Sequence, residues 1–142
     1  MKFNFGLLFI GLILSISLHA QRSVTDAADR DFEDFKYSTA VDKYKKAYAK
    51  VKDKDEKDRI RFQMAECYRL MNNTKRAEPT YKSLVRNGYY KKEPLALLHY
   101  ANMLKINQKY DEAIPQFEEY IKLKPMYPRG PDGLKSCTMQ QN

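Results

Sequence analysis

The stretch KYDEAIPQFEEYIKLKP, Lys109 to Pro125, decides how this chain folds. Ala113, Ile114, Phe117, Tyr120 and Ile121 recur at three- and four-residue spacing, so one face of a helix running from Asp111 to Lys124 is apolar. Asp111 is placed to cap it, Lys122 and Lys124 complement the dipole at its carboxyl end, and Pro125 ends it.

Moving outward, the same pattern returns twice. Ala28 and Ala40, Ala65 and Ala77, and Ala101 and Ala113 are each twelve residues apart, and the pairs recur after 37 and then 36 residues. Tyr44, Tyr81 and Phe117 keep that register, as do Ala47, Leu84 and Tyr120. Pro79 and Pro115 both lie two residues after the second alanine, which supports the register independently and places a helix start just before each. A small residue on each helix of a hairpin lets the backbones approach, and the aromatic fills the space beside them. Each unit is therefore expected to be a pair of helices.

In the first unit Ser23, Thr25 and Asp26 offer caps to a helix carrying Val24, Ala28, Phe32 and Phe35. A turn at Lys36 and Tyr37 follows, and Ser38 or Thr39 caps a second helix lined by Ala40, Val41, Tyr44, Ala47, Tyr48 and Val51. The second unit runs from about Glu56 to Leu70, turns at Met71 to Asn73, and continues to Asn87, with Gly88 as its C-cap. In the third, Pro94 opens a helix with Leu95, Leu98, Ala101, Met103 and Leu104, and the turn falls at Asn107 to Tyr110.

These residues resemble the tetratricopeptide repeat, a helix-turn-helix unit with a small residue in its first helix, an alanine and an aromatic in its second, and a closing proline. The resemblance covers residues 24–125, with longer inter-unit turns than the family's usual spacing and no early aromatic in the first unit. It implies an all-α solenoid: a domain over 21–125 with repeats at about 24–52, 56–88 and 93–125. Residues 126–142 form a partial fourth repeat or a capping helix. Cys137 lies 36 residues after Ala101, where a fourth unit would place its small residue, and Asp132 to about Gln140 would supply about two turns.

The apolar run from Phe5 to Leu18, preceded by one Lys and followed by His19, Ala20 and Gln21, reads as a secretory signal peptide cleaved after Ala20. It is shorter than the roughly 18 to 20 residues of a spanning helix, and no Cys follows to carry a lipid. The chain carries a formal charge of +8; removing residues 1–20 takes away one Lys and no acid and leaves +7. The densest basic stretch, Lys50 to Arg59, interleaves lysines with Asp53, Asp55, Glu56 and Asp58, which disfavours nucleic acid as a partner. Cys67 and Cys137 fall two units apart, too far for a disulfide, so both are expected as free thiols.

Catalysis and cofactors find little support. His99 is the only histidine after residues 1–20 and is read as structural or groove-facing; Asp29 and Glu33 share a helix face but read as a solvated acidic pair. No phosphate-binding glycine loop, metal-spaced Cys/His cluster or nucleophile elbow occurs. In stacked hairpins the first helices line the concave surface. That places Arg59, Phe62, Gln63, Glu66 and Arg69 of the second unit and Leu98, His99, Asn102 and Lys105 of the third in a mixed, basic, partly apolar binding groove. Tyr89 and Tyr90, beside Lys91 and Lys92, form a candidate contact patch. Some tetratricopeptide proteins clamp a partner's terminal carboxylate with a fixed Lys/Asn/Arg set. Only Asn102 matches here, with Thr25, Asp29 and Leu95 at other positions, so that mode is disfavoured.

The leader, the repeats and the PDGLKSC close are also similar to the amino-terminal region of Bacteroidota envelope proteins in which such repeats precede a propeller and an OmpA-like peptidoglycan-binding domain, some serving type IX secretion and gliding. The resemblance implies a non-enzymatic exported scaffold, in the periplasm or on the periplasmic face of the outer membrane, holding another envelope protein. The alternative is a truncated spacer or tethering module of a larger anchored protein. No small-molecule substrate is implied, and outer-membrane association would come through the partner.

Overall fold

A computed structural model describes residues 25–141. Expectations for the leader, Ser23 and Val24 lie outside these residues. Within them α1 covers 25–33, followed by α2 (Tyr37–Lys50), α3 (Lys54–Leu70), α4 (Thr74–Arg86), a single 3-10 turn (Tyr89–Lys91), α5 (Leu95–Ile106), α6 (Tyr110–Leu123) and α7 (Arg129–Gln141). No strand occurs among the described residues. From α2 to α7 each helix packs on the next in the chain, and α5 also meets α7, as in a stack of α-hairpins.

All three hairpin turns share one geometry. Phe35, Asn72 and Gln108, equivalent in the repeat register, have φ of 62°, 55° and 62°. In each turn the next residue's N–H reaches back five residues: Lys36 to the Asp31 carbonyl, Asn73 to Tyr68 and Lys109 to Leu104, at 2.7 to 2.9 Å. The left-handed residue itself donates to the carbonyl three back, completing a Schellman closure that satisfies carbonyls the helix end leaves open. Gly88 (φ 78°) closes α4 as the sequence suggested.

The register of the core holds throughout. Ala28, Ala40, Ala65, Ala77, Ala101 and Ala113 are all fully buried, as are Tyr44, Tyr81 and Phe117. Cys137 occupies the equivalent small-residue position on α7 and is also fully buried; both cysteines are free.

Several local expectations need correcting. Phe35 does not belong to the α1 stripe: it is the left-handed turn residue and 78% exposed. Because the turn closes one residue earlier than expected, Tyr37 and Tyr110 begin helices, and the N-caps of α2 and α6 are Lys36 and Lys109 without side-chain bonds, rather than Ser38, Thr39 or Asp111. Side-chain caps stand elsewhere: Asp53 accepts from Glu56 N at 2.8 Å and Asn73 from Arg76 N at 3.2 Å. Pro79 and Pro115 lie inside α4 and α6, past the first turn, where each forgoes one helical bond.

The largest difference is α7, which begins at Arg129 and runs 13 residues, longer than the two turns expected. Gly130 and Gly133 explain its seating. A Cβ on Gly133 would lie 2.3 Å from Phe117 Cε1, and one on Gly130 would lie 2.9 Å from Ile121 Cγ1 and Tyr120 Cδ1. The glycines that resemble loop punctuation in the sequence are the contact by which α7 covers the open face of α6.

Candidate functional site

The proposed groove residues lie on α3 and α5, the first helices of the second and third units, and the structure gathers some of them round Glu66. This carboxylate is buried and receives hydrogen bonds from three directions. Arg69 Nη2 donates to Oε2 at 2.5 Å from one turn along α3, the Tyr81 hydroxyl donates to Oε1 from α4, and His99 Nδ1 meets Oε1 at 2.6 Å from α5. One side chain therefore ties together both helices of its own hairpin and the first helix of the next. Burial alone would raise the Glu66 carboxyl, but the bonds from His99, Arg69 and Tyr81 outweigh it and hold its pKa down at about 2. Burial, with the adjacent carboxylate, pushes the Tyr81 hydroxyl up in turn. Near neutral pH the ionised Glu66 accepts only, so the contact at Nδ1 requires His99 to carry a proton there.

A parallel constellation stands one unit earlier. The Tyr44 hydroxyl donates to Asp29 Oδ1 at 2.5 Å, across the same fifteen-residue spacing that separates Tyr81 from Glu66. Arg59 on α3 approaches Asp29 at 3.7 Å while its Nε and Nη2 grip Glu56 at 2.9 and 2.7 Å. Asp29 is thus a half-buried structural carboxylate, not the solvated partner of Glu33, which is exposed. In the third unit the corresponding pair is Phe117 and Asn102, where hydroxyl and carboxylate are both missing.

Among the other expected groove residues, Gln63, Asn102 and Lys105 are half-buried and their side chains make no hydrogen bond within the described residues. Phe62 packs edge-on to Tyr81, with centroids 6.3 Å apart, and against Tyr89 at 6.1 Å. Leu98 is corrected: at 1% exposure it belongs to the core, because α5 is covered by α4, α6 and α7 together. Tyr89 and Tyr90 are likewise half-buried against the core, which limits the contact patch to Lys91 and Lys92, and Lys92 is paired with Asp55 at 2.6 Å. The surface is also less basic than expected, since Glu56, Asp29 and Glu66 neutralise Arg59 and Arg69, and Lys105 is the cation of the set with no ion pair among the described residues.

Sequence reasoning missed Asp29, Tyr44, Tyr81 and Glu56. The recurring carboxylate fifteen residues before a buried tyrosine was the available signal for the first three. Among the described residues no cluster of three or more His, Cys, Asp or Glu side chains is placed to hold a metal ion, and no helix is long and apolar enough to cross a membrane.

No family model matches the chain, and no curated protein matches it at significance. Among solved structures it is similar to the first TPR of Spaghetti (RPAP3), determined bound to the HSP90 peptide SRMEEVD, with a TM-score of 0.71 and 19% identity over 85% of this chain and 92% of that one. With the hairpin stack and the buried alanine register already in place, the likeness establishes a tetratricopeptide-type α-solenoid as the fold of this chain.

Proposed function

We infer that this protein is a non-enzymatic scaffold whose first helices present a peptide-binding surface to another protein. The observation that carries the reading is the contrast within that surface. Glu66, Arg69, His99 and Tyr81 satisfy one another and tie α3, α4 and α5 together, while the side chains of Gln63, Asn102 and Lys105 beside them have no hydrogen-bond partner among the described residues. A rigid floor with a few unsatisfied donors is suited to a partner's backbone and polar side chains. The RPAP3 repeat domain, a structural neighbour, was solved holding a peptide of another protein, which supports a protein partner here.

The partner is not an acidic carboxyl terminus gripped in the clamp manner. Asp29 is an ionisable acid engaged by Tyr44 and Arg59, Thr25 is buried, and Leu95 offers no donor from its side chain. With residues 1–20 read as a secretory signal, the partner is another envelope protein, met in the periplasm or at the periplasmic face of the outer membrane, in a secretion, gliding or outer-membrane assembly. Copurification from cells expressing the wild type or a Gln63→Ala, Asn102→Ala, Lys105→Ala variant tests this. Loss of a specific envelope partner with an unchanged circular dichroism spectrum supports the reading, and equal recovery of every partner removes it.

A further inference from the structure

The outward face of the second helices carries a charge pattern that the binding surface does not use. On α2 and α4 the exposed cations Lys46, Lys50, Lys75, Lys82 and Arg86 form no ion pair among the described residues, Lys82 alone lying within electrostatic reach of Glu78 one turn away. The carboxylates on these helices are already engaged: Asp42 pairs with Lys45 at 3.3 Å, and buried Glu78 pairs with Lys109 at 2.5 Å. The buried stripes are Ala40, Val41, Tyr44 and Ala47 on α2 and Ala77, Glu78, Tyr81 and Leu84 on α4, so these cations lie on the side away from the core. Lys45 and Lys82 are equivalent in consecutive units, and the third unit puts Glu118 at that position and Glu119 opposite Lys46. The basic face therefore spans two units and stops at α6.

We propose that the α2–α4 face docks directly on an anionic lipid bilayer surface. Two observations favour lipid over other partners. Among the described residues none of the exposed large apolar side chains lies on α2 or α4, so this face lacks the anchors that a stable protein interface concentrates. A second copy is opposed by the +8 charge of the chain, whereas a diffuse array of lysines on rigid helices is attracted to a charged plane without pockets or register. The acidic α6 face orients the molecule, turning the third unit away from the lipid.

The test compares wild type with a Lys46→Gln, Lys50→Gln, Lys82→Gln, Arg86→Gln variant of the full chain in vesicle cosedimentation. Phosphatidylglycerol/phosphatidylcholine vesicles are set against phosphatidylcholine alone, so any contribution of the common amino-terminal segment appears in both lipids. Each cation near an anionic surface is worth about five-fold in partitioning, so the variant is expected to lose roughly two orders of magnitude or more of the anionic-specific binding. Near-molar salt should release the wild type, because the Debye length falls to about 3 Å. A Glu118→Gln, Glu119→Gln variant should bind as well as wild type or better. Equal binding of wild type to both lipids, an unaffected quadruple variant, or binding to polyglutamate or duplex DNA in place of vesicles would each overturn the proposal.

Discussion

Replacing Gly133 by alanine separates a capping helix from a loosely attached tail by the sign of a single number. On an exposed helix the change is favourable, because alanine is a better helix former than glycine by about 1 kcal/mol. In this structure the new Cβ would sit 2.3, 2.5 and 2.8 Å from Cε1, Cζ and Cδ1 of Phe117, where ordinary carbon contacts lie at about 3.5 to 4.0 Å. Phe117 is fully buried and cannot swing away, so α7 must move off α6 by more than an ångström. Overpacking of this kind costs about 1–3 kcal/mol. Contact with a ring on three atoms puts the cost at the upper end, and the propensity gain offsets part of it, leaving a net loss of about 1–2 kcal/mol. Urea denaturation followed by circular dichroism reads the stability, and a thiol reagent reads the seat of α7. Cys137 should become reactive in the native variant, while Cys67, enclosed by the second unit and with its pKa pushed to about 12 by burial, stays protected. A stability gain of about 1 kcal/mol with Cys137 still protected would refute the reasoning.

Two further outcomes follow from the local geometry. Because the folded pKa of Glu66 lies at about 2, below the unfolded value of about 4.3, its contribution is complete above that unfolded value and is lost as pH falls through the interval between them. A shift of that size corresponds to about 3 kcal/mol, so Glu66→Gln should lower stability at neutral pH and flatten the acid limb of urea midpoints measured from pH 6 to pH 2; an acid limb matching the wild type would contradict it. Phe35 holds a left-handed conformation with its ring largely in solvent, and Phe35→Gly should raise stability by about 0.5–1 kcal/mol, relief of the left-handed strain outweighing the chain entropy of glycine and the lost edge contact with Tyr37; a fall in thermal midpoint would contradict the turn assignment.

What could be read in advance was whatever repeats in register within the chain. The alanine pairs, the aromatic at Tyr44, Tyr81 and Phe117, Gly88 and the small residue at Cys137 are all where their spacing put them, because packing demands the same volume in each unit. The helix starts were less legible, since the Schellman closures recur through backbone geometry that tolerates Phe, Asn and Gln alike, and no residue type marks them. The α7 helix was misjudged because Gly130, Pro131 and Gly133 carry low helix propensity, and only the facing ring of Phe117 shows why glycine belongs there. At the site, Arg69 with Glu66 could be found one turn apart on a helix, but the bond from His99 spans 33 residues and two units, and no local pattern encodes it. Leu98 was assigned to the surface by a register that treats every first helix as half-exposed, whereas α5 is enclosed by neighbours on several sides.

Site-specific photocrosslinking in intact cells tests the binding surface most directly. A photoreactive residue at Gln63 or Asn102 should trap one partner protein, and the same residue at Glu118 on α6 should trap none of it. Crosslinks to that partner from Glu118 as strong as those from Gln63 and Asn102, or none from Gln63 and Asn102, would contradict a scaffold that binds through its first helices.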